Sequence, residues 1–232
     1  MLRRELAEAA PAIPHRHRIP IGLVLLTQGW ITHEQLRQAL KAQQEGSDLR
    51  LGKWLVTHQG LDEMRLTQAL GIQWNCPVFR FDSRVDDLAA MAVPRLLSET
   101  FGFVPLRLTR SGILYLAFED RIDHSVVLAI ERITKLRVES GLLSETDFLQ
   151  ARERVLQAHF PRTRLIEAGN HDLLADAFAK HIEGCKPVQS RLVRIRDLFW
   201  LRMWTRTESR AWSQLDEVED VVGSVVRFSE EG

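Results

Sequence analysis

The chain has 232 residues, enough to bury a substantial core and to hold more than one structural unit. Hydrophobic residues make up 45% and charged residues 27%, a globular balance that excludes a disordered chain. The formal net charge is zero, which excludes a chain that binds nucleic acid through its overall charge, and no nucleic-acid partner is expected. The basic stretch Lys186 to Arg210 and the acidic stretch Asp216 to Gly232 are read as neutralising each other. The longest apolar run, Ile21 to Leu26, is too short to span a membrane. The N-terminal arginines come with Glu5 and Glu8 and without a signal-peptide core. The two cysteines, Cys76 and Cys185, lie far apart with no CxxC spacing. That pattern argues against a zinc site or a disulfide framework and fits a reducing compartment, so a cytoplasmic protein is expected. His15 and His17 stand two apart, which is wrong for one helical face, and no metal site is expected.

In chain order, residues 1–18 read as a loose arm. Pro20 suits the start of a helix that ends near Gly29. Thr32 with Gln35 reads as a capping box opening a second helix that carries Leu36, Ala39, Leu40 and Gln43. Glu45 to Asp48 breaks it. A short helix follows Arg50-Leu51-Gly52, turns at Gln59-Gly60, and gives way to a helix capped by Asp62 that carries Leu66, Ala69, Leu70 and Gln73. Residues 19–80 are therefore a tandem-repeat helical subdomain, short-long-short-long. Cys76 to Phe81 is a short extended exit, with Pro77 biasing Cys76 away from helix.

Residues 81–162 read as a small α+β unit in the order helix-strand-strand-helix-strand-helix. Pro94 to Phe101 is its first helix. Val104 to Leu108 and Ile113 to Phe118 are strands that turn at Ser111-Gly112. Asp123 caps a helix with Val126, Val127, Ile130 and Ile133. Leu136 to Glu139 is a strand, and Ser144 opens the last helix. Residues 163–232 read as a C-terminal α/β module. A helix starts at Asn170 or Asp172 and stops at Gly184. A hairpin turns near Arg196-Asp197, a helix covers Asp216 to Val222, and a strand covers Ser224 to Phe228. On that hairpin Trp200, Arg202 and Trp204 share one face, either an exposed partner surface or an inner sheet face. The fold class expected is α+β.

The helical subdomain contains an internal repeat. With Gly22 superposed on Gly52, Leu36 falls on Leu66, Gln38 on Gln68, Ala39 on Ala69, Leu40 on Leu70 and Gln43 on Gln73. Two copies suit a compact pseudo-symmetric pair able to hold something between them.

This pattern, Arg-Leu-Gly, then Leu, Gly and Leu-x-x-x-Leu-x-x-Gln, resembles the MshEN domain, the N-terminal domain of type II secretion and type IV pilus assembly ATPases. Phe103-Val104-Pro105-Leu106 with Ile113 to Asp120 is similar to a hairpin of the same family. The resemblance covers roughly residues 19–162. It implies that the chain is bacterial, with a protein partner in a secretion, pilus or signalling system. Some family members bind the second messenger cyclic di-GMP through the two motifs. The resemblance implies Ile21, Gly22, Leu25, Leu26, Gly29, Leu36, Leu40 and Gln43 as ligand residues of the first motif. In the second motif it implies Arg50, Leu51, Gly52, Leu55, Val56, Leu66, Leu70 and Gln73.

The residue types suit that chemistry. A glycine lets backbone approach a base or phosphate. A helix start offers free N–H groups to an anion. An arginine pairs with phosphate or a base edge. Leu36, Leu40, Leu66 and Leu70 are helix-core residues in any case, and Trp30 and Trp54 read as groove packing in preference to covering a ligand. Two departures stand out: Pro20 occupies the place of the first motif's arginine, and Gln59 occupies the place of its glycine in the second motif, with Gly60 one residue later.

No stretch reads GxxxxGK[ST], HExxH, GxSxG or GxGxxG, so the ATPase half of that family has no counterpart here and a non-catalytic protein without a cofactor is expected. Two functions fit: a regulatory module sensing cyclic di-GMP, or an interaction and scaffold module that binds no nucleotide.

Overall fold

The structure, a computed structural model, describes residues 19–82, 86–205 and 218–226. The N-terminal arm with its two histidines, and the expected helix and strand at Asp216, Glu217 and beyond Val226, fall outside the described residues.

The repeat folds as four helices, α1 (Ile21–Thr27), α2 (His33–Gln44), α3 (Leu51–Gln59) and α4 (Glu63–Trp74). Local chemistry sets their ends. Thr32 and Gln35 form the full reciprocal capping box of α2. The Asp62 carboxylate accepts the Arg65 N–H at the start of α4. Gly29 and Gly60, at φ +67° and +66°, take the left-handed conformation that turns the chain after α1 and α3. Each short helix packs on the long helix of the other copy, α1 on α4 and α2 on α3. The core between them is Val24, Leu25, Ile31, Ala39, Leu55, Leu61 and Ala69. Each short helix also meets its own long helix through a glycine, Gly22 against Leu36 and Gly52 against Leu66.

The exit segment joins the next unit as a strand edge. Val78 bridges Leu142 in parallel, and the Phe79 N–H donates to the Leu142 carbonyl at 2.7 Å. That unit contains α5 (Asp87–Met91), α6 (Arg95–Phe101), β1 (Phe103–Leu108), β2 (Ile113–Phe118), α7 (His124–Thr134), β3 (Arg137–Leu142) and α8 (Glu145–Val155). The β1–β2 hairpin is antiparallel and β3 joins β2 in parallel after the α7 crossover. Helix α5 was not expected. It is a single short turn of helix, started by Asp86, whose carboxylate accepts the Leu88 N–H.

The last unit contains β4 (Arg162–Ala168), α9 (His171–Cys185), β5 (Gln189–Ile195), β6 (Leu198–Trp204) and β7 (Val218–Val225), in sheet order β4-β7-β6-β5. Two expectations are corrected. Val218 to Val222 is strand, not helix, because β7 is central and pairs with β6 antiparallel and β4 in parallel. A valine-rich run covered on both faces suits such a strand. Helix α9 passes Gly184 and ends at Cys185, where Lys186 takes the left-handed cap. Strand β4, with its mostly exposed side chains, was not expected either. The whole is α+β with two mixed sheets.

One face of the second sheet packs on α9 through Leu174, Phe178, Leu201, Met203 and Val221. The other face sends Ile195, Trp200 and Val222 into the core of the preceding unit, beside Leu114, Ile130 and Ile133. Trp200, Arg202 and Trp204 therefore form an inner face. Arg202 lies there, 1% exposed, because Asp220, 0% exposed, receives it in a two-pronged pair. Arg202 Nε and Nη2 donate to the two Asp220 oxygens at 2.8 and 2.7 Å. Trp200 Nε1 donates to the same carboxylate at 2.7 Å, and Arg202 Nη1 to the Ala92 carbonyl at 2.7 Å. This network ties β6 and β7 to the end of α5.

Candidate functional site: a cleft beside the second motif

A cleft of about 590 Å³ opens between the tandem-repeat helices and the α+β unit. Helices α3 and α4 form one wall, with Arg50, Leu51, Gly52, Lys53 and Val56 on the first and Leu66, Leu70 and Gln73 on the second. The loop after β2 supplies Glu119, Asp120 and Arg121, and the start of α8 supplies Glu145. The size is that of a small-molecule site.

The structure divides the sequence-derived ligand residues. Ile21, Arg50, Leu51, Gly52, Val56, Leu66, Leu70 and Gln73 line this cleft together. Gly22, Leu26, Gly29, Leu36, Leu40 and Gln43 of the first motif do not line it. Leu25 and Leu55 are core side chains at 0% exposure, with no surface to offer a ligand. Leu40 and Gln43 face solvent on the outside of α2. The glycines also sort by role. Gly22 and Gly52 are buried and yield space to a leucine, whereas Gly29 and Gly60 serve a turn with open space around them. Trp30 and Trp54 pack against the helical core, and Trp54 stacks on His58 at 4.9 Å.

Several lining residues escaped the sequence reading: Asp48 and Leu49 before α3, Lys53, Glu63, Thr67 and Trp74 on the helices, and the whole α+β wall. The motif residues are adjacent in sequence, but their opposite wall lies some seventy to ninety residues further on. Only the charge of those residues, without a spacing, could have pointed to them.

Three links cross the cleft. Arg50 pairs with Asp120, and Lys53 pairs with Glu145. Glu63 accepts the Thr146 N–H and hydroxyl, both at 2.8 Å, placing a carboxylate on the N-terminal turn of α8. Glu145 holds the Lys53 ammonium above its ordinary pKa. Burial raises the Glu119 pKa above the usual carboxylate range, and the neighbouring Asp120 and Glu145 charges add to the rise, against Lys53 and Arg50. Helix α3 begins at Arg50 with no side-chain cap, unlike α2, α4, α7, α8 and α9. Its first N–H groups thus lack a side-chain acceptor, at the residues that line the cleft together with two cations. The arrangement offers an apolar floor, two exchangeable cations and carboxylates able to accept from an N–H edge. Among the described residues the cleft holds no paired nucleophile and base.

No family model matches the chain, and no curated protein does. Among solved structures the chain is similar to that of MshE with cdg, at 24% identity over 60% of this chain and 99% of that one, with a TM-score of 0.49. It is also similar to the N-terminal domain of XpsE, at 19% identity over 58% of this chain and 92% of that one, with a TM-score of 0.40. Among the described residues no helix is long and apolar enough to cross a membrane.

Proposed function

We propose that this chain is a non-catalytic regulatory module of the MshEN kind, and that its cleft is the binding site for a guanine-containing nucleotide such as cyclic di-GMP. One observation carries the reading: Arg50 and Lys53 of the second motif hold the two structural units together through Asp120 and Glu145. A ligand phosphate competes with those carboxylates for the same cations. The Arg50 and Asp120 side chains are 81% and 51% exposed, so their pair is worth no more than about 1 kcal/mol and yields readily. Glu145, once freed from Lys53, can then accept the N–H edge of a guanine, while Leu51, Val56, Leu66 and Leu70 bed its face. Occupancy is thereby converted into loss of two of the ties between the helical subdomain and the α+β unit, a change that a protein partner in a secretion, pilus or signalling system can read.

The test is a calorimetric titration of cyclic di-GMP into the full chain and into Arg50→Ala and Gln43→Ala. Binding that is lost in Arg50→Ala and kept in Gln43→Ala supports the cleft. Absence of binding by the folded wild-type chain overturns it.

A second reading is supported by a different observation. The first motif has Pro20 in place of a cation, and its Leu40 and Gln43 face solvent away from the cleft. On that reading the domain is an interaction module whose outer helical face docks a protein and whose cleft is closed permanently by its own ion pairs.

A further inference from the structure

We propose a second site, between α9 and β7: His181, Cys185 and Glu219 form a binding site for a borderline-soft divalent metal ion, of which Zn²⁺ is the type. His181 and Cys185 stand four apart on α9, one turn above the other on the same face. Glu219 reaches them from β7, the strand that α9 packs against. His181 Nε2 lies 3.0 Å from Glu219 Oε1, Cys185 Sγ lies 3.4 Å from Glu219 Oε2, and Sγ lies 3.7 Å from Nε2.

Those separations decide the case. A tetrahedral zinc with its usual bond lengths holds N, O and S ligand atoms about 3.4–3.6 Å apart. Each residue offers one ligand atom, and the three lie within 4.8 Å of one another, with the two Glu219 oxygens now facing one partner each. An ion enters once side-chain rotation turns a single Glu219 oxygen toward both His181 and Cys185. The set of one thiolate, one imidazole and one carboxylate selects a borderline ion over Mg²⁺ or Ca²⁺, which take oxygen ligands. The placement is rigid. His181 is 12% exposed, and α9 is pinned below by Leu174 and Phe178. All three residues are half-buried, so solvent reaches the remaining corner and a water completes the shell. On binding, the Cys185 thiol gives its proton to solvent as the sulfur–metal bond forms. Neutral His181 and ionised Glu219 supply the other two lone pairs.

The spacing of the cysteines alone pointed away from metal, because Cys76 lies elsewhere and the partners of Cys185 are a histidine and a carboxylate. The site is separate from the cleft of the second motif and independent of it.

Co²⁺ added to the reduced full chain is the probe, since a cobalt–thiolate bond gives a near-ultraviolet charge-transfer band and four-coordination gives intense visible bands. One equivalent should produce both, and Zn²⁺ should bleach them. Cys185→Ser should abolish the charge-transfer band and Cys76→Ser should leave it. His181→Gln should weaken Co²⁺ by about tenfold or more, the least that loss of a ligand bond implies. Circular dichroism of each variant establishes that it is folded. The proposal is overturned if folded wild-type protein gives no charge-transfer band with excess Co²⁺, or if the band persists in Cys185→Ser.

Discussion

Leu66 Cδ1 lies 2.6 Å from the point that a β-carbon on Gly52 would occupy, and Leu36 Cδ1 stands at the same 2.6 Å from that point on Gly22. The repeated glycine and leucine are one contact made twice. It lets the start of each short helix close on its long helix, and in the second copy it shapes the cleft floor. Gly52→Ala should therefore destabilise the protein despite the better helix propensity of alanine, by no more than about 1 kcal/mol in urea unfolding, because the tip of Leu66 must shift to admit the methyl group. Gly184→Ala, on α9 with open space around the glycine, should instead stabilise it by about 0.5–1 kcal/mol. Equal effects at the two positions would refute the packing account.

The buried Arg202–Asp220 pair makes a second prediction. Asp220→Ala leaves a guanidinium without its counter-charge among Trp200, Ala92 and the core. It should cost about 3–5 kcal/mol. Replacing both partners, as in Arg202→Met with Asp220→Ala, should cost clearly less than the sum of Arg202→Met and Asp220→Ala made singly. Denaturant midpoints of the four proteins give the coupling directly. A double variant as unstable as the sum of its singles would contradict the pairing.

Glu119 gives a pH signature. Its folded-state pKa is raised, by burial first and then by Asp120 and Glu145, so the folded state disfavours its charge. Its contribution is thus most favourable below the ordinary glutamate range and is lost as pH rises through the raised value. Glu119→Gln removes that loss. The variant should melt higher than wild type at neutral pH and converge with it in mild acid. A difference that grows toward acid would have the wrong sign.

What the sequence made legible followed from local chemistry. The capping box at Thr32 and Gln35, the cap at Asp62 and the turn at Arg196, in the left-handed conformation at φ 53°, appear where the residue types place them. The segments missed were those governed by distant partners. Strand β4 reads Arg-Thr-Arg-Leu-Ile-Glu-Ala, with little apolar alternation, and is a strand because β7 pairs with it. The charged Val218–Val222 stretch contains Glu219 and Asp220, which suited a helix until Arg202 and His181 supplied partners for them. The cleft was half legible. The second motif marked one wall, but Glu119, Asp120 and Glu145 carry no spacing relative to it. The first motif repeats the pattern of the second, yet α1 and α2 place most of it outside the cleft.

The most direct test of the cleft is a thermal-shift titration of cyclic di-GMP against wild type, Arg50→Ala and Asp120→Asn in parallel. A ligand at a hundred times its dissociation constant stabilises a fold by about 2.7 kcal/mol. The account predicts that Asp120→Asn, which frees Arg50 from its internal partner, responds at lower ligand concentration than wild type, and that Arg50→Ala does not respond. A flat wild-type melt up to high micromolar ligand, or an Arg50→Ala response equal to wild type, would contradict it.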